Sequence, residues 1–185
     1  MKRFYMLIVL LCAFAAMLWA GDGDAENMTA GGPLPRFSLG SGVVLESFKS
    51  GGYGELLFTL TEGDGYQTRL GFVLAGFGSQ DGWGLGQLAL KFSLGGPWNG
   101  AFRSYGFLEA GAGVAGGGGN DFSLAPLPFD IRGGGGAEIL LYKNSSLFFE
   151  YGGGFLFFAG ALPAGVSTLL DGGYAHFSMG LRYYR

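Results

Sequence analysis

Gln87-Leu88-Ala89-Leu90-Lys91-Phe92-Ser93-Leu94 places Leu88, Leu90, Phe92 and Leu94 on one parity and Gln87, Lys91 and Ser93 on the other. Side chains of a β-strand alternate between two faces, so the stretch reads as a strand with one apolar face and one polar face. The lysine stands in the middle of the segment, where a strand with water on one side and one with lipid on one side make opposite demands. Which demand applies is decided by whether other charges obey the same parity.

Seven further segments repeat the pattern. With Trp83 to Leu94, which contains the quoted stretch, they are Phe37 to Phe48, Tyr53 to Thr61, Tyr66 to Phe77, Arg103 to Ala115, Phe129 to Tyr142, Leu147 to Ala159 and Tyr174 to Tyr184. Each is about the length of a tilted strand that crosses a bilayer, roughly 9 to 11 residues. Eleven charges fall inside them: Glu46, Glu55, Arg69, Lys91, Arg103, Glu109, Asp130, Arg132, Glu138, Glu150 and Arg182. None takes the apolar parity. Two segments test the rule internally, because Arg103 agrees with Glu109, and Asp130 agrees with Arg132 and Glu138. An Arg or Lys turned to lipid at mid-membrane costs about 2 to 4 kcal/mol. A barrel interior accepts a charge if a partner is present, and the six acids and five bases on this face are nearly balanced. The pattern predicts an all-β chain, an eight-stranded antiparallel up-and-down transmembrane β-barrel over residues 37–185.

The rest of the chain fits that reading. Residues 1–20 have the form of a cleaved signal peptide: Lys2 and Arg3, an apolar run from Met6 to Leu18, and Ala20 before Gly21-Asp22-Gly23-Asp24. Residues 21–36, with Pro33 and Pro35, read as a flexible leader. Cys12, the one cysteine, lies in the signal, so the mature chain offers no disulfide, thiol nucleophile or thiolate ligand. Removing Lys2 and Arg3 takes 11 basic residues to 9 against 14 acidic ones, and the formal charge from -3 to -5. That mild acidity argues against nucleic acid as a partner. The 39 glycines would suit a disordered chain, but 18 Phe and 9 Tyr accompany them and must be buried somewhere. Asn27-Met28-Thr29 and Asn144-Ser145-Ser146 match the glycosylation pattern and are short enough to arise by chance.

The competing reading is a transmembrane helix over Tyr151 to Leu170, an uncharged run of 20 residues. Gly152-Gly153-Gly154, Pro163 and the period of two across Leu147 to Phe155 oppose it. Because hydrocarbon admits only helices and closed barrels, a sheet here must close on itself. Short periplasmic turns and longer outer loops then set the orientation. Lys143 to Ser146 is tight, whereas Gly116 to Pro128 and Gly160 to Gly173 are long, which places these two outside and both chain ends in the periplasm. The first two outer connections, near Lys49 to Gly52 and Gly78 to Gly82, are short.

The chain resembles the small eight-stranded bacterial outer-membrane β-barrels over residues 37–185. The resemblance rests on the hairpin count, the Phe107-Leu108-Glu109-Ala110-Gly111-Ala112-Gly113-Val114 strand and the last strand, where Ala175, Phe177, Met179, Leu181 and Tyr183 alternate toward an aromatic end. It implies an outer-membrane location and contact with outer-membrane lipid or lipopolysaccharide. It also implies recognition of the terminal strand by the barrel-assembly machinery. Tyr184 and Arg185 extend past the last aromatic of the apolar face, a departure from the family's pattern.

An eight-stranded barrel is only wide enough for its own side chains to fill it, which disfavours a diffusion pore. The charges, with His176 on the same inward parity, are expected to pair. Glu150 with Arg182, and Glu109 with Lys91 or Arg132, are the best candidates. Inward glycine leaves room for Tyr105, Phe107 and Phe148. Lipid A deacylases carry a His-x-Ser on a barrel strand, and His176 and Ser178 match as a string, but in those enzymes the pair faces lipid. Gly111-Ala112-Gly113-Val114-Ala115-Gly116 matches a dinucleotide pattern, yet Gly117-Gly118-Gly119-Asn120 cannot start the helix that such a site needs. One histidine and no mature cysteine make a zinc or copper site improbable, and no cofactor is expected. The reading is therefore a non-enzymatic barrel with a plugged interior and a structural or surface-interaction role. Its outer loops carry Phe122, Leu124, Leu127, Leu162, Val166, Leu169 and Leu170. A lipid-modifying enzyme and a small soluble ligand-binding barrel are the alternatives.

Overall fold

The computed structural model describes residues 36–47, 49–63, 66–79, 84–117, 123–124, 127–142, 144–159 and 172–185. Within them the chain forms nine antiparallel strands: β1 (Phe37–Glu46), β2 (Lys49–Gly63), β3 (Tyr66–Ser79), β4 (Gly84–Gly95), β5 (Phe102–Gly117), β6 (Ser123–Leu124), β7 (Pro128–Tyr142), β8 (Ser145–Phe158) and β9 (Gly172–Tyr184). Eight of them form a ring in chain order, β1-β2-β3-β4-β5-β7-β8-β9, shut by β9 pairing back onto β1 from Ser38↔Tyr184 to Glu46↔His176. The remaining two-residue piece, β6, pairs with Gly116 and Gly117 of β5. Closure gives every barrel strand a neighbour on both sides, so no edge of unpaired backbone groups remains. The expected signal peptide, and the expected leader apart from Arg36, lie outside the described residues.

Exposure is inverted relative to a water-soluble domain. Along β4, Leu88, Leu90, Phe92 and Leu94 are 57, 51, 41 and 48% exposed, while Gln87, Lys91 and Ser93 are 3, 0 and 2% exposed. Every charged strand side chain whose burial the structure describes is buried, and large apolar side chains such as Leu74, Tyr151 and Phe155 cover the outside. Such a surface suits hydrocarbon and would be costly in water. Tyr183 keeps the outward parity yet is buried at the rim, where Asn144 Nδ2 donates to its hydroxyl at 2.8 Å.

The two ends of the barrel differ. One, here the near end, carries Phe37 and Arg185 and the connections 64–65, 96–101 and 143–144. Its β4–β5 turn closes through paired bonds between Asn99 and Phe102 at 2.8 and 3.2 Å, with Gly100 at φ 61°, a left-handed conformation that favours glycine. The opposite far end carries the longer connections, 118–127 and 159–171.

Strand limits differ from the sequence reading around Lys49 and at the end of β5. Lys49 to Gly52 is strand and β1 ends at Glu46, because Val43 and Val44 pair with Gly52 and Gly51. Glycine there admits the close approach of Gly76 and Phe77 on β3. Strand β5 runs on through Gly117, so the Gly111 to Gly116 run is strand and holds no helix start. Residues 151–158 of the uncharged run are likewise strand. Except for Leu127, which is exposed, the side chains of the apolar loop residues lie outside the described residues.

Candidate functional site

A column of buried charges runs the length of the bore, because alternation turns one residue in two inward and these positions carry the charged strand side chains that the structure describes. At the far end, Glu46 and Lys49 are Cα partners across the β1–β2 turn and form a 2.8 Å ion pair. The Lys49 ammonium also lies 4.3 Å from the Phe77 ring centroid and 5.0 Å from that of Tyr174. Arg132 Nη1 reaches Glu46 at 3.2 Å and Asp130 at 3.3 Å, and its Nη2 reaches Glu109 at 2.6 Å. The Tyr174 hydroxyl bonds Asp130. His176 Nδ1 lies 3.2 Å from Glu46 Oε1.

Glu109 passes the column to the middle tier. Lys91 Nζ sits among three carboxylates, Glu55 at 3.1 Å, Glu109 at 3.2 Å and Glu150 at 2.5 Å. Glu150 also accepts from the Tyr105 hydroxyl at 2.8 Å and from Ser178 Oγ at 3.0 Å. Arg182 then joins the middle to the near tier, donating through Nε to Glu55 at 2.5 Å and pairing with Glu138. Among the described side chains of the bore, Glu138 is the one carboxylate of the near tier. It bonds the Tyr184 hydroxyl, meets Arg69 at 3.4 Å, and stands 4.0 Å from Arg103. Gln67 Oε1 accepts from Arg69 Nη2 at 2.9 Å.

All twelve residues singled out in the sequence lie inside the barrel, and each contacts another of the twelve. Glu109 meets both Lys91 and Arg132. Glu150 is 3.6 Å from Arg182, and its close cation is Lys91. Lys49 is a thirteenth member that the sequence reading left in a loop, although it shares the odd parity of Glu55. With it the column holds, among the described side chains, six acids and six bases, besides His176. They are unevenly spread: near, Arg69, Arg103 and Arg182 against Glu138; middle, Lys91 against Glu55, Glu109 and Glu150; far, Lys49 and Arg132 against Glu46 and Asp130. The tiers carry formal charges of +2, -2 and 0, from three minus one, one minus three and two minus two.

Tyrosines fill the space between charges, and bare backbone opposite them makes this possible. A Cβ on Gly136 would lie 2.5 Å from Tyr105 Cζ, and one on Gly154 would lie 2.7 Å from Tyr174 Cζ. His176 and Ser178 both face inward and bond different carboxylates, Glu46 and Glu150, so they do not pair with each other as a base and a nucleophile would.

No protein-family model and no curated protein matches the chain. Solved structures with a similar fold include Neisserial surface protein A (NspA), 10% identical with a TM-score of 0.61 over 83% of this chain and 99% of that one. Another is Ail, the attachment invasion locus protein of Yersinia pestis, 13% identical with a TM-score of 0.51 over 80% of this chain and 95% of that one. At such identities the likeness is one of fold: a closed eight-stranded antiparallel barrel.

Proposed function

We propose that the chain is an integral barrel of the bacterial outer membrane with a sealed interior, and that it acts at the cell surface through its far-end connections. The observation that carries this reading is the inversion of exposure, apolar belt outside and charge column inside. A soluble ligand-binding barrel would need the reverse. Continuous ion pairs from Lys49 to Arg69 occupy the bore where a conducting path would run. The inward, carboxylate-bound His176 supports a non-enzymatic role, because a lipid-modifying base would have to reach the lipid. The names of the two similar structures, a surface protein and an attachment invasion locus protein, favour a surface contact.

In this reading the near end faces the periplasm, with both barrel termini. The far-end connections 118–127 and 159–171 meet lipopolysaccharide or a surface partner, and β9 is the strand offered to the barrel-assembly machinery. Membrane fractionation with gel migration before and after boiling tests the membrane barrel. The unboiled protein is expected in the outer-membrane fraction with shifted migration. Recovery in the soluble fraction with identical migration would overturn the proposal.

A further inference from the structure

We propose that the near end of the bore binds a phosphate-class oxyanion, held by Arg103 and Arg69 with Trp98 and Ser38 around the Tyr184 ring. The surplus of cations there is the first observation. Arg182 is matched by Glu55 of the middle tier, so among the described side chains Arg69 and Arg103 share one carboxylate, Glu138, which Arg182 and the Tyr184 hydroxyl already engage. The second observation is a set of buried donors with nothing to donate to. Arg103 is 1% exposed; its Nε donates to Gly96 O at 3.1 Å, but Nη1 and Nη2 make no hydrogen bond. Its nearest carboxylate oxygen is the 4.0 Å one of Glu138.

Trp98 Nε1 and Ser38 Oγ are also buried without a partner, and both belong to the same end. The Trp98 ring stands edge-on to Tyr184 at 6.1 Å, Ser38 is the β1 partner of Tyr184, and Arg69 Cζ lies 4.9 Å from the Tyr184 centroid. Gly95 leaves space for the free edge of the guanidinium, since a Cβ there would be 2.9 Å from Arg103 Nη2.

Neither a guanidinium nor an indole N–H can accept a hydrogen bond, so the missing group must be an acceptor. Buried donors are normally satisfied, and a water would satisfy them without neutralising the excess charge. An oxyanion does both. Its adjacent oxygens match the two parallel N–H bonds of a guanidinium, and its remaining lone pairs suit the indole and hydroxyl. The site itself stands on the barrel geometry. Whether the phosphate comes free from solution or on the headgroup of an inner-leaflet lipid rests on the outer-membrane reading.

The test uses the mature protein, folded in a phosphate-free maltoside detergent and checked by its migration before boiling. Inorganic phosphate is titrated while phosphorus NMR line width and, in a Trp83→Phe background, the emission of Trp98 are followed. Saturable binding is expected, at least tenfold weaker in Arg103→Gln and several-fold weaker in Trp98→Phe. Arg103→Lys, which keeps the charge and loses the paired donors, is expected to fall between wild type and Arg103→Gln, so the test does not depend on one variant folding. A parallel arm places the protein in vesicles with or without phosphatidylglycerol: a response to that lipid alone assigns the site to a headgroup, and a response to free phosphate alone assigns it to a soluble anion. The proposal is overturned if neither phosphate source binds, if chloride at equal ionic strength reproduces the response, or if folded Arg103→Gln binds as wild type does. The membrane reading would fail separately, by the fractionation result.

Discussion

The Tyr105 ring lies against the bare Cα of Gly136 on the neighbouring strand, and this contact places its hydroxyl 2.8 Å from Glu150. A side chain at residue 136 therefore displaces a member of the charge column. Gly136→Val is expected to destabilise the barrel by about 1 to 3 kcal/mol through overpacking. Gly76→Ala, where a Cβ would meet nothing within 4 Å, is the matched control and should change little. Reversible urea unfolding in detergent reads both.

Lys91→Met leaves Glu55, Glu109 and Glu150 without their shared cation. Removing one partner from a buried cluster costs about 3 to 5 kcal/mol, even where the intact cluster adds little net stability. The same unfolding assay should show that loss, and Glu109→Gln added to Lys91→Met should recover part of it. Strict additivity of the two substitutions would contradict the contact.

The outer face should be sensitive to charge according to depth. Leu90→Arg, in the middle of β4, is expected to cost about 2 to 4 kcal/mol, and Tyr66→Arg, at the near rim, about 0 to 1. Equal penalties at both positions, measured by folding into vesicles, would rule out a membrane-spanning belt.

A sealed bore predicts no stepwise conductance when the purified protein is inserted into planar bilayers. Stable open steps in the wild type would show a continuous water path past Lys91.

Orientation is open to labelling because Cys12 is the chain's one cysteine and falls in the segment expected to be removed as a signal peptide. Asn120→Cys and Ser167→Cys should react with a membrane-impermeant maleimide on intact cells, and Lys143→Cys should react only after the outer membrane is opened. The reverse pattern would place the near end outside.

The barrel was legible from parity alone, since Lys91 among Leu88, Leu90 and Phe92 already demands a sheltered polar face. The partners of that lysine were not, because Glu150 comes from β8, across the bore from β4, and only closure and register bring them together. Nearest-neighbour reasoning did better where partners share a ladder, as with Glu109, which is the Cα partner of both Lys91 and Arg132. Lys49 escaped because Ser50-Gly51-Gly52 has the composition of a turn. Its glycines instead admit the close passage of β3, a packing requirement that composition does not distinguish from flexibility.

The column also constrains the order of events during assembly. Glu138 on β7 takes its cations from β3, β5 and β9, and Lys91 on β4 takes its carboxylates from β2, β5 and β8. A half-formed sheet that entered hydrocarbon would carry these groups in unpaired, and later strands would arrive too late to shield them. Neutrality is reached only when the last strand meets the first, so ring closure must precede or accompany insertion, and a chain stalled before β9 should remain outside the bilayer.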